Sequence, residues 1–345
     1  MKDKYLIIGK RVPTNERSNV GGVIVLFEQL LEDLQRNNFK HEVIDINYRN
    51  YGNKIKAYLL IHWQILCKIW SSDKVLLNGD NNLIYLYAPF LLIWSLIGGQ
   101  KVIFRFFGGN FHNYYEQKNI LLRCIFLLQL RKADLVFWEQ HYQVNYFKDK
   151  QINAHWFPNV RSITDESLIH DQERDFKGKF VFISHIREEK GVNAILKVKC
   201  ELGSNFDIHL YGPELNYECP QQLKPIYKNI YKGAIEPENV LQVLSEYDVL
   251  VLPTFWSGEG YPGIIIEAFG LGIPVIATDL MGIKEMFEKD AGILIEPRSV
   301  LELKQAIEEI NQSNYSKLIA GAKEAFKSFN AEVQMPAILK KIKNI

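Results

Sequence analysis

Two carboxylates eight positions apart, Glu259 and Glu267, bracket the run Gly-Tyr-Pro-Gly-Ile-Ile-Ile near the end of the chain. The glycines after the first acid predict a bend, and the branched apolar residues before the second predict a helix. A strand, Asp248-Val-Leu-Val-Leu-Pro253, arrives just before, and the apolar helix Gly263 to Leu271 carries the second acid. In open α/β sheets, a strand-end loop feeding a helix N-terminus is where phosphorylated ligands bind. Glu259 then stands in the loop beside a ligand's reactive end, with Glu267 about two helical turns further on. A ligand touching both acids must be elongated, with an anionic middle that prefers backbone amides to carboxylates. A sugar nucleotide has that shape.

Other segments carry polar groups at strand ends. Lys190-Gly191 follows the strand Phe180-Val-Phe-Ile183 and the loop Ser184-His-Ile-Arg-Glu-Glu189. A lysine at such a junction can pair with a phosphate while the helix dipole adds to the attraction; a solvated helix-start lysine has the same sequence. Gly21-Gly22 lies between the first strand and a helix beginning near Val23, where adjacent glycines let backbone approach an anion or simply turn the chain. It is not the G-x-G-x-x-G fingerprint, which disfavours a nicotinamide enzyme. Phe107-Gly108-Gly109-Asn110-Phe-His112 closes the strand 101–106, with Arg105 and His112 as its polar candidates for an acceptor or sugar side. No two aspartates are spaced D-x-D and no His/Cys cluster is present, so no metal is expected. Lysine, arginine and helix N-termini must then meet any diphosphate charge.

These groups need a scaffold, and 345 residues suffice for two domains. Strand patterns at 4–9, 41–46, 74–78, 101–106, 134–138 and 154–157 alternate with amphipathic helices, notably Val23 to Asn37 and Asn119 to Lys132. The pattern breaks around Pro158, and the polar stretch Arg161 to Lys179 reads as a linker. Strands at 179–184, 206–211, 229–232, 248–252, 274–277 and 292–295 follow, with helices near 191–202, 238–246, 263–271, 282–287 and 299–312. The alternation predicts α/β architecture: two Rossmann-like domains with parallel sheets, facing one another across a cleft. Residues 1–160 plus a returning C-terminal helix at about 329–345 form one domain, and 161–328 the other.

The net charge of +1 hides an asymmetry: residues 1–160 hold 20 Lys/Arg against 13 Asp/Glu, and the remainder 21 against 27. The basic half is expected to face something anionic. Basic helices with aromatics, Lys54 to Trp70 and Asn119 to Lys132, match those that lie on anionic membrane surfaces. Core-facing helices of an α/β domain look the same, so both placements stay open. Leu83 to Ile97 is apolar but short of the roughly 20 residues a span needs, and it contains Pro89. Four scattered cysteines and Met1-Lys-Asp-Lys running straight into a strand point to a reduced, cytoplasmic protein without a secretory signal.

Together these residues resemble the retaining glycosyltransferases of family 4, which have the two-domain GT-B fold. The likeness is densest from Phe180 to about Glu296, where E-x7-E, the Lys190-Gly191 pair and Gly272-Ile-Pro-Val-Ile-Ala-Thr278 stand in the family's order. The resemblance implies that Glu267 holds ribose hydroxyls and that Glu259 lies next to the donor sugar. It implies that Lys190 neutralises the departing diphosphate, with Gly260, Tyr261 and Gly263 in the donor loop and Gly21 and Gly22 closing on the phosphates. Three positions depart from the family pattern. His185 replaces an arginine, which leaves the diphosphate clamp to His185 or Arg187. Pro262 replaces a glycine and removes an amide. Phe107 replaces a histidine, and His112 comes five residues late.

The implied activity is transfer of a sugar from a UDP- or GDP-type donor to a hydroxyl of a glycan or lipid-linked glycan. Anomeric configuration would be retained, without metal or other cofactor. O-antigen, capsule or exopolysaccharide synthesis in bacteria is the expected setting, in the cytoplasm or at the inner face of the membrane, with no nucleic-acid partner. Three other readings share the features: a sugar-nucleotide epimerase of the same fold, a pyridoxal-dependent phosphorylase, and a non-catalytic protein that binds a sugar nucleotide or glycan.

Overall fold

The structure, a computed structural model, describes residues 3–13, 22–287 and 290–345. They divide into two units, 1–159 with 335–345, and 160–334. In the first, six strands form one parallel sheet: β1 (Lys4–Gly9), β2 (Lys40–Asp45), β3 (Lys74–Gly79), β4 (Lys101–Phe106), β5 (Leu135–Trp138) and β6 (Ala154–Trp156), in the order β2-β1-β3-β4-β5-β6. Strands buried on both faces are mostly apolar: β5 is apolar and buried at every position, and β3 is buried at every position with Lys74 and Asn78 as its polar members. One face packs against the helices Lys54–Ile69, Ala88–Gly98 and Ile120–Lys132 through Ile61, Ile65, Leu91, Phe126 and Leu130.

The apolar stretch 83–97 folds as two short helices, Leu83–Leu86 and Ala88–Gly98, with Pro89 in the first turn of the second, where its missing N–H is harmless. No described helix is long and apolar enough to cross a membrane.

The second unit has five parallel strands, β7 (Lys179–Ile183), β8 (Asp207–Tyr211), β9 (Val249–Leu252), β10 (Val275–Thr278) and β11 (Gly292–Ile295), in the order β11-β10-β9-β7-β8. The expected strand at 229–232 is absent. Tyr231 makes only an isolated bridge to Leu210, because the helix Lys224–Ile230 runs up to it and its ring stacks on Tyr227 at 5.1 Å. The helix expected at 282–287 is the single turn Met281–Lys284. The one expected at 299–312 ends at Glu309, because Asn311 caps a new helix, Gln312–Phe326, through reciprocal bonds with Asn314.

The stretch read as a linker is stitched to this unit. The carboxylate of the buried Asp248 accepts the backbone N–H groups of Lys177 and Lys179, both at 2.9 Å, and lies 3.6 Å from Arg174. The last helix, Ala331–Lys343, starts in the second unit and ends in the first. Buried Lys74 donates to the carbonyls of Ile342 and Lys343 at 3.2 and 2.6 Å and pairs with Asp3 at 2.8 Å. These carbonyls end a helix and have no partner within it. Lys74→Met should therefore lower unfolding free energy by roughly 1–3 kcal/mol, read as a drop in the urea midpoint of the first unit. An unchanged midpoint would show the tie to be redundant.

Candidate functional site

The C-terminal ends of β7 and β9 meet at one residue without a side chain. Gly191 has φ 84°, and a Cβ there would lie 2.1 Å from the carbonyl oxygen of Pro253. Only glycine lets the loop after β7 pass so close to the end of β9. The carbonyl of Glu189 then accepts the N–H of Phe255 at 2.8 Å and lies 3.2 Å from the Thr254 hydroxyl. That hydroxyl also donates to Glu259 Oε2 at 2.9 Å. The loop carrying the lysine is thus sewn to the loop carrying the first acid.

Lys190 Nζ sits 2.6 Å from Glu259 Oε2, with the two side chains only 10% and 8% exposed. The indole of Trp256 covers the ammonium at 5.0 Å. A buried ion pair of this kind exists only where geometry and further hydrogen bonds offset its desolvation, and Thr254 and Trp256 supply those contacts.

Glu267 lies on the helix Gly263–Gly270, and its Oε1 accepts from Arg161 Nε at 2.8 Å. The guanidinium crosses the first turn of this helix, since a Cβ on Gly263 would meet Arg161 Nη2 at 2.2 Å. Arg161 is itself pinned: its N–H donates to Phe329 O and its carbonyl accepts from Ala331, both at 2.9 Å. Arg161, His185, Lys190, Gly212, Glu259 and Gly263 all line one cavity of about 300 Å³. Gly212, at φ 137°, lets its backbone sit against Ser184 O, where a Cβ would be 1.9 Å away. The recess thus gathers the cationic groups of Arg161 and Lys190, the N-terminus of the helix at Gly263 and the anchored carboxylate of Glu259, with Glu267 held behind its wall by Arg161. This set of charges is suited to an anionic, hydroxyl-bearing ligand.

His185 lines the recess, and burial holds its pKa below the ordinary value, reinforced by the charges of Lys190 and Arg187 against the opposing pull of Glu259. A neutral imidazole is what the site presents at neutral pH. Arg187 is not part of the cavity wall; it is half-buried and lies 3.5 Å from Glu189. Tyr261 is buried, donates to Glu285 and packs edge-on to Phe329, while Gly260 is half-buried between it and Glu259.

In the first unit Gly21 lies outside the described residues, and Gly22 opens the helix Gly22–Arg36 with clear space where a Cβ would stand. Arg105, read as a candidate for the acceptor side, is instead buried in the core. Its guanidinium stacks between Phe157 at 3.4 Å and Phe107 at 4.5 Å, and burial pushes its pKa down to about 9 against the pull of Glu139 and Asp33. This stack gives Phe107 a structural task. Glu139 accepts the N–H of Gly108 at 3.1 Å, Gln143 donates to Gly108 O at 3.0 Å, and Tyr142 donates to Gly109 O. His112 is half-buried and edge-on to Tyr142 at 5.0 Å, and burial lowers its pKa.

Arg161 and Thr254 were missed from the sequence. Arg161 fell in the stretch read as a linker, and the signal available was its place just past the Pro158-Asn159 break, where the second domain begins.

Two α/β units with parallel sheets, one bearing a recess lined by Arg161 and Lys190 at its strand ends, define a double Rossmann-like protein. Residues 177–313 match the family described as Glycosyl transferases group 1, so the second unit carries a domain of that group. The fold is that of GT-B glycosyltransferases. HepE from Anabaena, solved in complex with UDP, superposes with a TM-score of 0.72 at 15% identity, over 99% of this chain and 100% of that one. A putative teichuronic acid biosynthesis glycosyltransferase, TuaC of Bacillus subtilis, is 38% identical over 79 residues, 23% of this chain and 20% of the relative. A putative colanic acid biosynthesis glycosyl transferase, WcaC of Escherichia coli, is 24% identical over 47% of this chain and 40% of its own length. The chain thus spans well under half of either of these relatives.

The far end of the Glu267 helix rests on His170, whose N–H donates to Leu271 O at 2.7 Å while Nε2 reaches Ser245 O at 2.8 Å. Burial is the main cause that pushes the His170 pKa down from 6.5 to about 4. The unfolded chain takes up a proton that the folded one refuses, so this stability is complete above pH 6.5 and falls as pH drops towards 4. The loss should reach up to about 3 kcal/mol. In chemical denaturation across that window, His170→Gln should flatten the pH dependence; an equally steep profile would remove His170 as its cause.

Proposed function

We propose that the protein is a retaining glycosyltransferase. It moves a sugar from a UDP- or GDP-type nucleotide diphosphate to a hydroxyl of a glycan or lipid-linked glycan in bacterial surface polysaccharide synthesis. The observation that carries this reading is the Lys190–Glu259 pair set in the wall of a cationic recess at a helix N-terminus. The names of TuaC and WcaC support the polysaccharide setting, and the UDP held by HepE supports the donor class. The basic first unit supports work in the cytoplasm at the inner face of a membrane.

In the reaction, the bond from the anomeric carbon to the diphosphate oxygen breaks. The acceptor oxygen bonds to the same face of that carbon and passes its proton to the departing diphosphate oxygen. The largest change of charge falls on the departing diphosphate, and Lys190, Arg161 and the helix N-terminus at Gly263 are the groups positioned to meet it. Arg161 supplies the charge that neutral His185 lacks. Once the diphosphate engages Lys190, the Glu259 carboxylate turns to the sugar, where it orients hydroxyls and stabilises positive charge at the anomeric carbon. Glu267, held by Arg161, accepts from the ribose hydroxyls. No metal is required in this scheme, because protein cations meet the charge.

Release of UDP or GDP from a panel of nucleotide sugars tests the reading. Wild type should turn over one of them, with kcat lowered roughly 100- to 1,000-fold in Glu259→Gln and in Lys190→Ala. Arg161→Ala should mainly raise KM. Donor binding without turnover by wild type would favour a non-catalytic sugar-nucleotide receptor. Excess EDTA should leave the rate unchanged, and strong inhibition would overturn the metal-independent scheme.

A further inference from the structure

The first unit leaves a large apolar surface open. On the helix Lys54–Ile69, Ile55, Leu59 and Trp63 face outward, the tryptophan 64% exposed. On Ala88–Gly98, Leu96 is 81% exposed beside Ile97, and on Ile120–Lys132 the outward residues include Ile120, Leu121 and Leu128. The three helices cover the same sheet face, and the middle one packs against both others. A contiguous apolar patch on this scale marks an interaction surface. Its charge is one-sided: the three helices contain Lys54, Lys56, Lys68, Arg123, Arg131 and Lys132 and no aspartate or glutamate. Bulky apolar side chains on helices whose only charged residues are cations complement an anionic lipid surface.

A groove of about 520 Å³ runs between the helices Ala88–Gly98 and Ile120–Lys132. Ile93, Leu96, Ile125 and Leu128 form its apolar walls. Both helices precede strands of one parallel sheet, so their C-terminal ends lie at the same edge, and there the lining turns polar. Ser95 and Gln129 are 2% and 8% exposed, line the groove, and leave Ser95 Oγ and Gln129 Oε1 without a hydrogen-bond partner. Lys132 and Lys101 stand at this end, the latter paired with Asp134 at 2.9 Å. Buried polar atoms without a partner in the fold, where they line an open groove, are placed to be met by a ligand's polar group. An apolar channel with a polar, cationic end fits an amphiphile with a long chain and an anionic, hydroxyl-bearing head.

We propose that this groove binds one chain of an anionic phospholipid while the surrounding helical face rests on the bilayer. The proposal builds on the membrane setting of the preceding section and adds a defined lipid site to it. The acyl chain lies along Ile93 and Ile125. Lys132 meets the phosphate, and headgroup hydroxyls satisfy Gln129 Oε1 and Ser95 Oγ.

Two measurements separate the groove from the membrane setting. Co-sedimentation with phosphatidylglycerol vesicles at low salt should pellet the wild-type protein, and vesicles of phosphatidylcholine alone should not. Binding of short-chain phosphatidylglycerol below its micelle concentration, followed by calorimetry and native mass spectrometry, should give one lipid per chain. Ile125→Trp and Leu128→Trp, which fill the groove from partly exposed positions, should weaken that binding at least tenfold while thermal stability is kept. Vesicle binding without uptake of the short-chain lipid, or uptake undiminished in both variants, would overturn the groove and leave the membrane setting intact. Failure to pellet with anionic vesicles would sink both. Equal uptake of the phosphatidylcholine analogue would overturn the headgroup selectivity.

Discussion

A single carbonyl oxygen, that of Glu189, holds the candidate site in register. It is the shared acceptor for Phe255 N–H and the neighbour of the Thr254 hydroxyl, and it sits one residue before Lys190. Everything the site does with charge depends on two loops from different strands being fixed to within a hydrogen bond of each other. Gly191 permits that approach, and Thr254, fully buried, carries it on to Glu259. Functional groups built on loops gain precision only when such backbone ties replace the rigidity that regular elements provide. Parallel strand ends supply the rest, since they bring both loops to one edge of the sheet.

Much of this was legible in the sequence, for reasons that can be named. Parallel strands buried in a sheet read as short apolar runs, and all six of the first unit's strands stand within one residue of the expected ends, although the edge strand β2 is mostly polar around Val43 and Ile44. Glu259, Glu267, Lys190 and Gly191 were visible because each is local to a strand end and its following helix. Arg161 was not, because its bond to Glu267 spans 106 residues and no nearby pattern announces it. The strand expected at 229–232 failed because an aromatic stack and a helix end use the same residues. The misjudged helix end at 309 had a signal in Asn311 and Asn314, two side chains suited to capping.

Arg105 shows a different limit of reading by residue type. An arginine near a strand end on the binding edge invites a ligand role, yet aromatic neighbours on both sides convert it into a core component. Phe107 is two residues away in sequence and Phe157 distant, so half of that enclosure was visible beforehand. Its burial leaves the Gly108–Gly109 loop to be shaped by Glu139, Tyr142 and Gln143, all from the segment after β5. The two units therefore use their strand ends differently. One folds its charge inward behind a glycine loop, and the other lines an open recess with it.

The enclosed pair of Lys190 and Glu259 gives that recess an entry rule. The ammonium has already shed its water, so an arriving anion does not have to strip it. The newcomer must instead displace a carboxylate that stands at contact distance and leave it a new partner. A small monovalent anion can do the first but not the second. A larger ligand that brings two negative charges together with hydroxyl donors can do both, because the evicted carboxylate finds those hydroxyls waiting. Exchange of this kind sorts ligands by what they return to the protein as well as by what they take.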